Sequence, residues 1–183
     1  KKFYDRFPLI KDETRRIYAA MIHQMDEGIG AVMNKLKSEG LDKNTLVFFI
    51  SDNGCATYTA SCDNLPLRYG KISYFEGGVR VPFVASCPGL LPAGLVYREP
   101  VSTLDIFPTA VHLAKAEMPN PKRDGVDLLP FLKGKGGVPH EYLFWRSGEA
   151  LAVRDGEWKL IRYLDRHRLY NLKQDLPELK DQS

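Results

Sequence analysis

Apolar residues recur at three- and four-residue steps from Ile17 through Met21, Met25, Ile29 and Val32 to Leu36, the spacing of one helix face. Residues 1–11 read as an irregular lead-in, Asp12 stands where an N-cap belongs, and Gly40 is placed to end the helix in the left-handed conformation. Gly28 and Gly30 fall inside the pattern, where each costs about 1 kcal/mol relative to alanine; close packing against a neighbouring element would explain them. The period then changes. Asn44 to Ser51 is a continuous apolar, β-branched and aromatic run, expected of a strand covered on both faces in a parallel sheet between helix layers. A long helix leading directly into such a strand is half of a βαβ unit, and the missing preceding strand suggests an incomplete domain. Val81 to Cys87 is a second strand, with Pro82 at its beginning, where no ladder donor is lost. Pro88-Gly89 turns the chain. Residues 102–116 read as another helix. Asp105 as its N-cap puts Pro108 in the first turn, where a missing N–H is harmless, whereas a start at Ser102 would bury that proline in the interior.

Residues 117–140 are rich in Pro, Gly and Lys and read as a surface connection. Beyond them the alternation becomes that of a hairpin: Leu151 to Arg154, then Asp155-Gly156, then Trp158 to Tyr163. Asp-Gly there predicts a type I′ turn with positive φ values. Tyr142 to Arg146 and Arg168 to Leu172 are expected flanking strands. The reading is therefore an α/β domain over residues 1–138, a sheet between helix layers, followed by a small antiparallel β subdomain over residues 139–183.

Composition narrows the function classes. The chain has 183 residues, 44% hydrophobic and 27% charged, with a net charge of +3. That charge is too small and too scattered to indicate nucleic acid. No apolar run approaches the roughly 18 residues of a membrane span, and no signal peptide is visible. The three cysteines, Cys55, Cys62 and Cys87, fit no zinc spacing. Cys55 and Cys62 either bridge a loop in an oxidising compartment or stand as reduced thiols.

Two places carry candidate chemistry. Asp52 and Asn53 follow a hydrophobic strand, and in open α/β sheets ligands bind beyond the carboxyl ends of strands. A carboxylate and an amide carbonyl are hard oxygen donors suited to Ca²⁺ or Mg²⁺; Asp-Asn-Gly is equally a turn sequence. Lys71 lies between Gly70 and a short loop that ends in Glu76-Gly77-Gly78. Glycines permit close backbone approach, so the ammonium could meet a bound oxyanion or simply be solvated. Arg80 is expected to pair with Glu76. His23, His112, His140 and His167 read as packing or surface residues.

Taken together, Ser51-Asp52-Asn53-Gly54, Pro66-Leu67-Arg68-Tyr69-Gly70-Lys71 and Glu76-Gly77-Gly78-Val79-Arg80-Val81-Pro82 resemble the second half of a type I sulfatase in order and spacing. Asp105-Ile106-Phe107-Pro108-Thr109, Trp158-Lys159-Leu160-Ile161 and Leu169-Tyr170-Asn171-Leu172, with Asp175 and Glu178 following, extend the resemblance over nearly the whole chain. Upstream, Tyr18 to Met21 through Asp26 and Gly30 are similar to the family's helix before the metal-binding strand. The resemblance implies an alkaline-phosphatase-like α/β fold and hydrolysis of a sulfate ester, on a small molecule or a sugar. It also implies a divalent cation, usually Ca²⁺ rather than Mg²⁺, and a periplasmic, extracellular or lysosomal location. Asp52 and Asn53 would be metal ligands, and Lys71 would contact the sulfate as a catalytic and substrate-binding residue. The family's nucleophile is a formylglycine made within Cys/Ser-X-Pro-X-Arg, and no such motif occurs here. The expectation is a C-terminal fragment, inactive alone. A phosphoester or phosphonate hydrolase of the same superfamily and a non-catalytic binding module are the alternatives; the absence of a histidine near Asp52 favours the one-metal sulfatase pattern.

Overall fold

In the computed structural model, which describes residues 2–117, 124–134 and 136–183, the first helix, α1, spans Glu13–Ser38. Its ends are those the sequence predicts. The Asp12 carboxylate accepts the Arg15 amide at 2.8 Å, which satisfies one of the orphan donors of the first turn. At the other end Gly40 has φ +67°, its N–H donates to Lys37 O at 3.1 Å and the Leu41 N–H reaches back to Leu36 O at 2.9 Å. These two bonds are the Schellman closure, which needs a residue at home in the left-handed region. The expected burial of the helix differs. Ala20 is buried, whereas Ile17, Met21, Met25 and Val32 are exposed. No heavy atom comes within 4 Å of a Cβ built on Gly28 or Gly30, so close packing does not account for those glycines among the described residues.

Strand β1, Val47–Ile50, pairs antiparallel with β2, Phe83–Ser86, in register Val47↔Ser86 to Ile50↔Phe83. A strand buried on both faces of a parallel sheet was the expectation; here Phe49 is 40% and its partner Val84 55% exposed. The opposite face holds the edge-on pair of Phe48 and Phe83, ring centroids 5.8 Å apart. A continuous apolar run is compatible with either strand direction, because direction is set by the partner and not by the run itself. Between the two strands lies a short helix, α2, Glu76–Val79. Residues through Cys87, together with Asn171–Asp181, make one compact unit.

The second unit comprises Pro88–Tyr170 with Gln182–Ser183. Its helix α3 spans Ile106–Leu113 and is entered through a single 3-10 turn, Thr103–Asp105. Asp105 is the N-cap residue of α3, as expected, but its side chain makes no capping bond to α3 and serves the preceding turn instead. Ser102 Oγ accepts the Leu104 amide at 3.2 Å, and Asp105 reaches back to accept the Ser102 amide at 2.7 Å. This reciprocal box lets Ser102 begin the turn while Pro108 stays within the first turn of α3. Asp105 also accepts the Val126 amide at 2.8 Å, and Thr109 Oγ1 accepts that of Leu128 at 3.0 Å. The segment read as a surface connection is therefore partly buried: Leu128 and Leu129 are core residues, and α4, Leu129–Leu132, forms within it. Residues 118–123 and 135 of that segment lie outside the described residues.

Strands β3 (Tyr142–Ser147), β4 (Ala150–Asp155), β5 (Trp158–Tyr163) and β6 (Arg166–Asn171) form an antiparallel sheet in chain order. Ala152 pairs with Ile161, and both are buried, marking the inner face. The β4–β5 loop is Gly156-Glu157, between the paired Asp155 and Trp158. Gly156 has φ +52° and Glu157 is not in the positive-φ region. A type I′ turn requires both, so that expected turn type is not adopted. No helix among the described residues is long and apolar enough to cross a membrane.

Candidate functional site

Strand β1 ends at Ile50, and Asp52-Asn53 form the turn that follows. The Ser51 N–H donates to Pro82 O at 3.3 Å and its hydroxyl to Asn53 O at 2.7 Å, so the turn is anchored to the entry of β2. The Asn53 amide nitrogen donates to Gly54 O at 3.1 Å. That orientation spends the donor side of the amide locally and leaves Oδ1, the metal-competent atom, as an acceptor. The Asp52 side chain is exposed.

From Gly54 the backbone crosses the Lys71 loop. The Gly54 N–H donates to Gly78 O at 3.0 Å, and the Lys71 N–H donates to Cys55 O at 3.0 Å. The crossing is too tight for a side chain. A Cβ on Gly54 would lie 1.6 Å from Gly77 O, one on Gly70 2.0 Å from Cys55 O, and one on Gly77 2.3 Å from Tyr69 O. These glycines are needed because backbone touches backbone. Two consequences follow for Lys71. Its main chain is fixed against the end of the Asp52-Asn53 turn, and its side chain is left exposed.

The loop around it is conformationally strained. Tyr69 has φ +55° and Ile72 φ +71°, a left-handed region that β-branched residues rarely enter. Such a geometry persists only where the surroundings over-determine it. Asn64 supplies part of that constraint: its Oδ1 accepts the Cys55 N–H at 3.0 Å, and its Nδ2 donates to Tyr69 O at 2.8 Å. Asn64 thus bridges the two loops, a role that no signal in its own sequence neighbourhood announces. Cys55 and Cys62 form a disulfide across the same region, while Cys87 is free and buried. The open alternative between bridge and thiols is thereby resolved as a bridge. Arg80 lies 3.6 Å from the buried Glu76 carboxylate, the structural pairing expected of it.

The histidines take packing or surface places. His23 sits edge-on to Phe3 and Phe7 at 5.7 and 5.9 Å. His112 pairs with Asp127, and His140 Nε2 stands 2.9 Å from both oxygens of the buried Asp105. No group of three or more His, Cys, Asp or Glu that could hold a metal forms among the described residues. Asp52 and Asn53 offer two hard oxygens of the six to eight that Ca²⁺ takes. The chemistry of that donor set suits a hard divalent cation, and the remaining ligands must come from other residues or water.

Comparison with known proteins shows the family. The family model described as sulfatase matches residues 1–116, and that described as the C-terminal part of N-sulphoglucosamine sulphohydrolase matches residues 68–182. Arylsulfatase A of Bos taurus is 43% identical over 145 residues, covering 74% of this chain and 28% of that protein. N-acetylgalactosamine-6-sulfatase of Canis lupus familiaris is 34% identical over 160 residues, covering 85% of this chain and 31% of that protein. Among solved structures, Ps i-CgsB in complex with k-i-k-neocarrahexaose superposes with a TM-score of 0.89 at 35% identity, over the whole of this chain and 42% of that one. The chain thus spans less than half the length of these relatives, and its mixed helix-and-sheet architecture is theirs.

Proposed function

Since the chain belongs to the sulfatase family, we propose that it forms part of a metal-dependent enzyme that hydrolyses a sulfate ester on a carbohydrate. One observation carries the reading. The Lys71–Cys55 and Gly54–Gly78 backbone bonds, both 3.0 Å, tie the turn bearing two hard oxygens to the loop bearing an exposed ammonium. A cation and an ammonium held by one backbone crossing suit a tetrahedral oxyanion better than either does alone. Asp52 and the Asn53 Oδ1 would hold the cation, with Ca²⁺ preferred over the smaller Mg²⁺, which demands near-ideal octahedral geometry. When bound, the cation supplies positive charge to the sulfate oxygens. Lys71 donates to a non-bridging oxygen and neutralises the negative charge the sulfate carries there, which eases attack at sulfur.

The 183 residues contain no Cys/Ser-X-Pro-X-Arg sequence, so the nucleophile is supplied from outside them. The names of the relatives favour a sugar sulfate: one acts, by its name, on N-acetylgalactosamine-6-sulfate, and another is held in complex with neocarrahexaose. The Cys55–Cys62 bridge supports an extracytoplasmic location, where disulfides persist. A peptide map of the native protein by mass spectrometry tests the reading. The expected result is a peptide carrying Cys/Ser-X-Pro-X-Arg, with the Cys or Ser converted to formylglycine, on the same polypeptide. A native protein without that site would overturn the hydrolase reading and leave a binding role as the better account.

A further inference from the structure

The Lys71 loop is held from a part of the sequence far from it. After β6 the chain turns at Asn171, whose Oδ1 accepts the amides of Lys173 at 3.1 Å and Gln174 at 3.2 Å. Asp175 continues the turn. Its N–H donates to Asn171 O at 2.8 Å, and its carboxylate accepts the Lys180 amide at 2.7 Å. This brace presents Glu178, which is fully buried and adopts φ +55°. A buried glutamate in the left-handed region is disfavoured twice, by desolvation and by backbone sterics. Its contacts explain what holds it there.

Glu178 Oε2 accepts the Glu76 N–H at 2.5 Å, and the Glu178 carbonyl accepts from Arg68 Nη1 at 2.6 Å. Glu76 opens α2, so its N–H is one of the donors a helix start leaves orphaned. The Arg68 guanidinium lies 5.0 Å from the Tyr69 ring centroid and 4.7 Å from that of Phe75, and the Arg68 carbonyl accepts the Gly77 N–H at 3.0 Å. One residue therefore grips the segment 68–76 at both ends, and Lys71 stands within that segment, between the strained Tyr69 and Ile72.

We propose that Glu178 is a positioning residue for the Lys71 loop, fixing from the C-terminal segment where the Lys71 ammonium can stand. This rests on the reading of Lys71 as an oxyanion contact, and the two can fail separately. The test uses the full chain and its variants E178A, E178Q and E178D, with two readouts. Amide hydrogen exchange over residues 68–80 reports the loop. Protection of Lys71 from amine-labelling reagents by inorganic sulfate, mapped by mass spectrometry, reports the oxyanion contact.

E178A is expected to speed exchange over residues 69–78 by roughly tenfold or more, the loss of a charge-assisted hydrogen bond, with β4 and β5 unchanged and sulfate protection abolished. E178Q keeps an oxygen acceptor for the Glu76 N–H and is expected to restore both. E178D keeps the charge but withdraws the oxygen by one methylene; it is expected to loosen the same residues, and it carries the test if E178A does not fold. Unchanged exchange over residues 69–78 in E178A or E178D, equal loosening in E178Q, or loosening spread through β4 and β5 would each overturn the proposal. Local loosening without sulfate protection in the parent chain would sustain the positioning role and overturn the oxyanion reading.

Discussion

The Lys71 amide donates to the Cys55 carbonyl at 3.0 Å, and this bond is made entirely by main chain. The lysine's place in the fold is therefore independent of its side chain, which is exposed. A fixed backbone beneath an exposed ammonium is what the proposed oxyanion contact requires. It also separates folding from chemistry at this position, which makes the residue a clean one to substitute.

Lys71→Ala is accordingly expected to leave thermal stability within about 0.5 kcal/mol of the parent, as for other exposed substitutions. In the full-length protein it should lower kcat/KM for a sulfate ester by roughly 10²–10³-fold, the scale for removing one preorganised donor from a developing anion. Steady-state kinetics and a melting curve on the same preparation check it. Near-parental activity with an unchanged melt would remove Lys71 from the site.

Glycine-to-alanine substitutions should divide by place. At Gly54 the new methyl would lie 1.6 Å from the Gly77 carbonyl oxygen, whereas at Gly28 it meets nothing within 4 Å. Gly54→Ala forces two backbones apart and is expected to cost at least the roughly 1–3 kcal/mol of ordinary overpacking. Gly28→Ala, in the interior of α1, is expected to stabilise the chain by about 1 kcal/mol. Denaturant unfolding of the two variants beside the parent would show opposite shifts in midpoint; shifts of one sign would contradict the packing described for one of the two sites.

The contrast between those glycines shows what was legible in the sequence. Local rules located α1 correctly, because Asp12 and Gly40 act on groups within a few residues of themselves. Chemical type, spacing and the family resemblance single out Asp52, Asn53 and Lys71 as candidates, and the backbone crossing brings their two loops together. What stayed hidden depends on partners distant in the chain. The direction of β1 is set by β2, the reason for Gly54 lies at Gly77, and Asn64 and Glu178 act on loops that nothing in their own neighbourhood announces. The exposure of Met21, Met25 and Val32 belongs to the same class: a periodic face shows that a helix can be covered, not what covers it.

The Cys55–Cys62 bridge closes a short loop, with a sequence separation of 7. The chain-entropy model gives about 2 kcal/mol for a loop of that length. Replacing both cysteines with serine is expected to lower stability by about that amount and to raise amide exchange over residues 55–64, with β4 and β5 unaffected. Because Cys55 also accepts from Lys71 and donates to Asn64 through its main chain, those bonds survive the substitution and activity should fall far less than stability. A loss of activity as large as that of Lys71→Ala would show that the covalent bridge, rather than the backbone crossing, holds the site.

The metal assignment makes a prediction about linkage rather than rate. A ligand that binds only the folded state stabilises it, by about 2.7 kcal/mol at a hundred times its dissociation constant. In the full-length protein, Ca²⁺ is expected to raise the melting temperature in a concentration-dependent way, and Mg²⁺ to do so less at equal concentration. Asp52→Ala should abolish most of that rise, because a carboxylate is both a hard donor and part of the charge that holds the ion. Asn53→Ala should weaken it less, since a neutral oxygen is lost, and Asn53→Asp should retain it. The melting temperature of Asp52→Ala without added cation should stay near the parent's, because the Asp52 carboxylate is exposed and caps no helix. A Ca²⁺-dependent rise that survives Asp52→Ala unchanged would place the cation on other residues and reduce Asp52-Asn53-Gly54 to the turn that its composition equally allows.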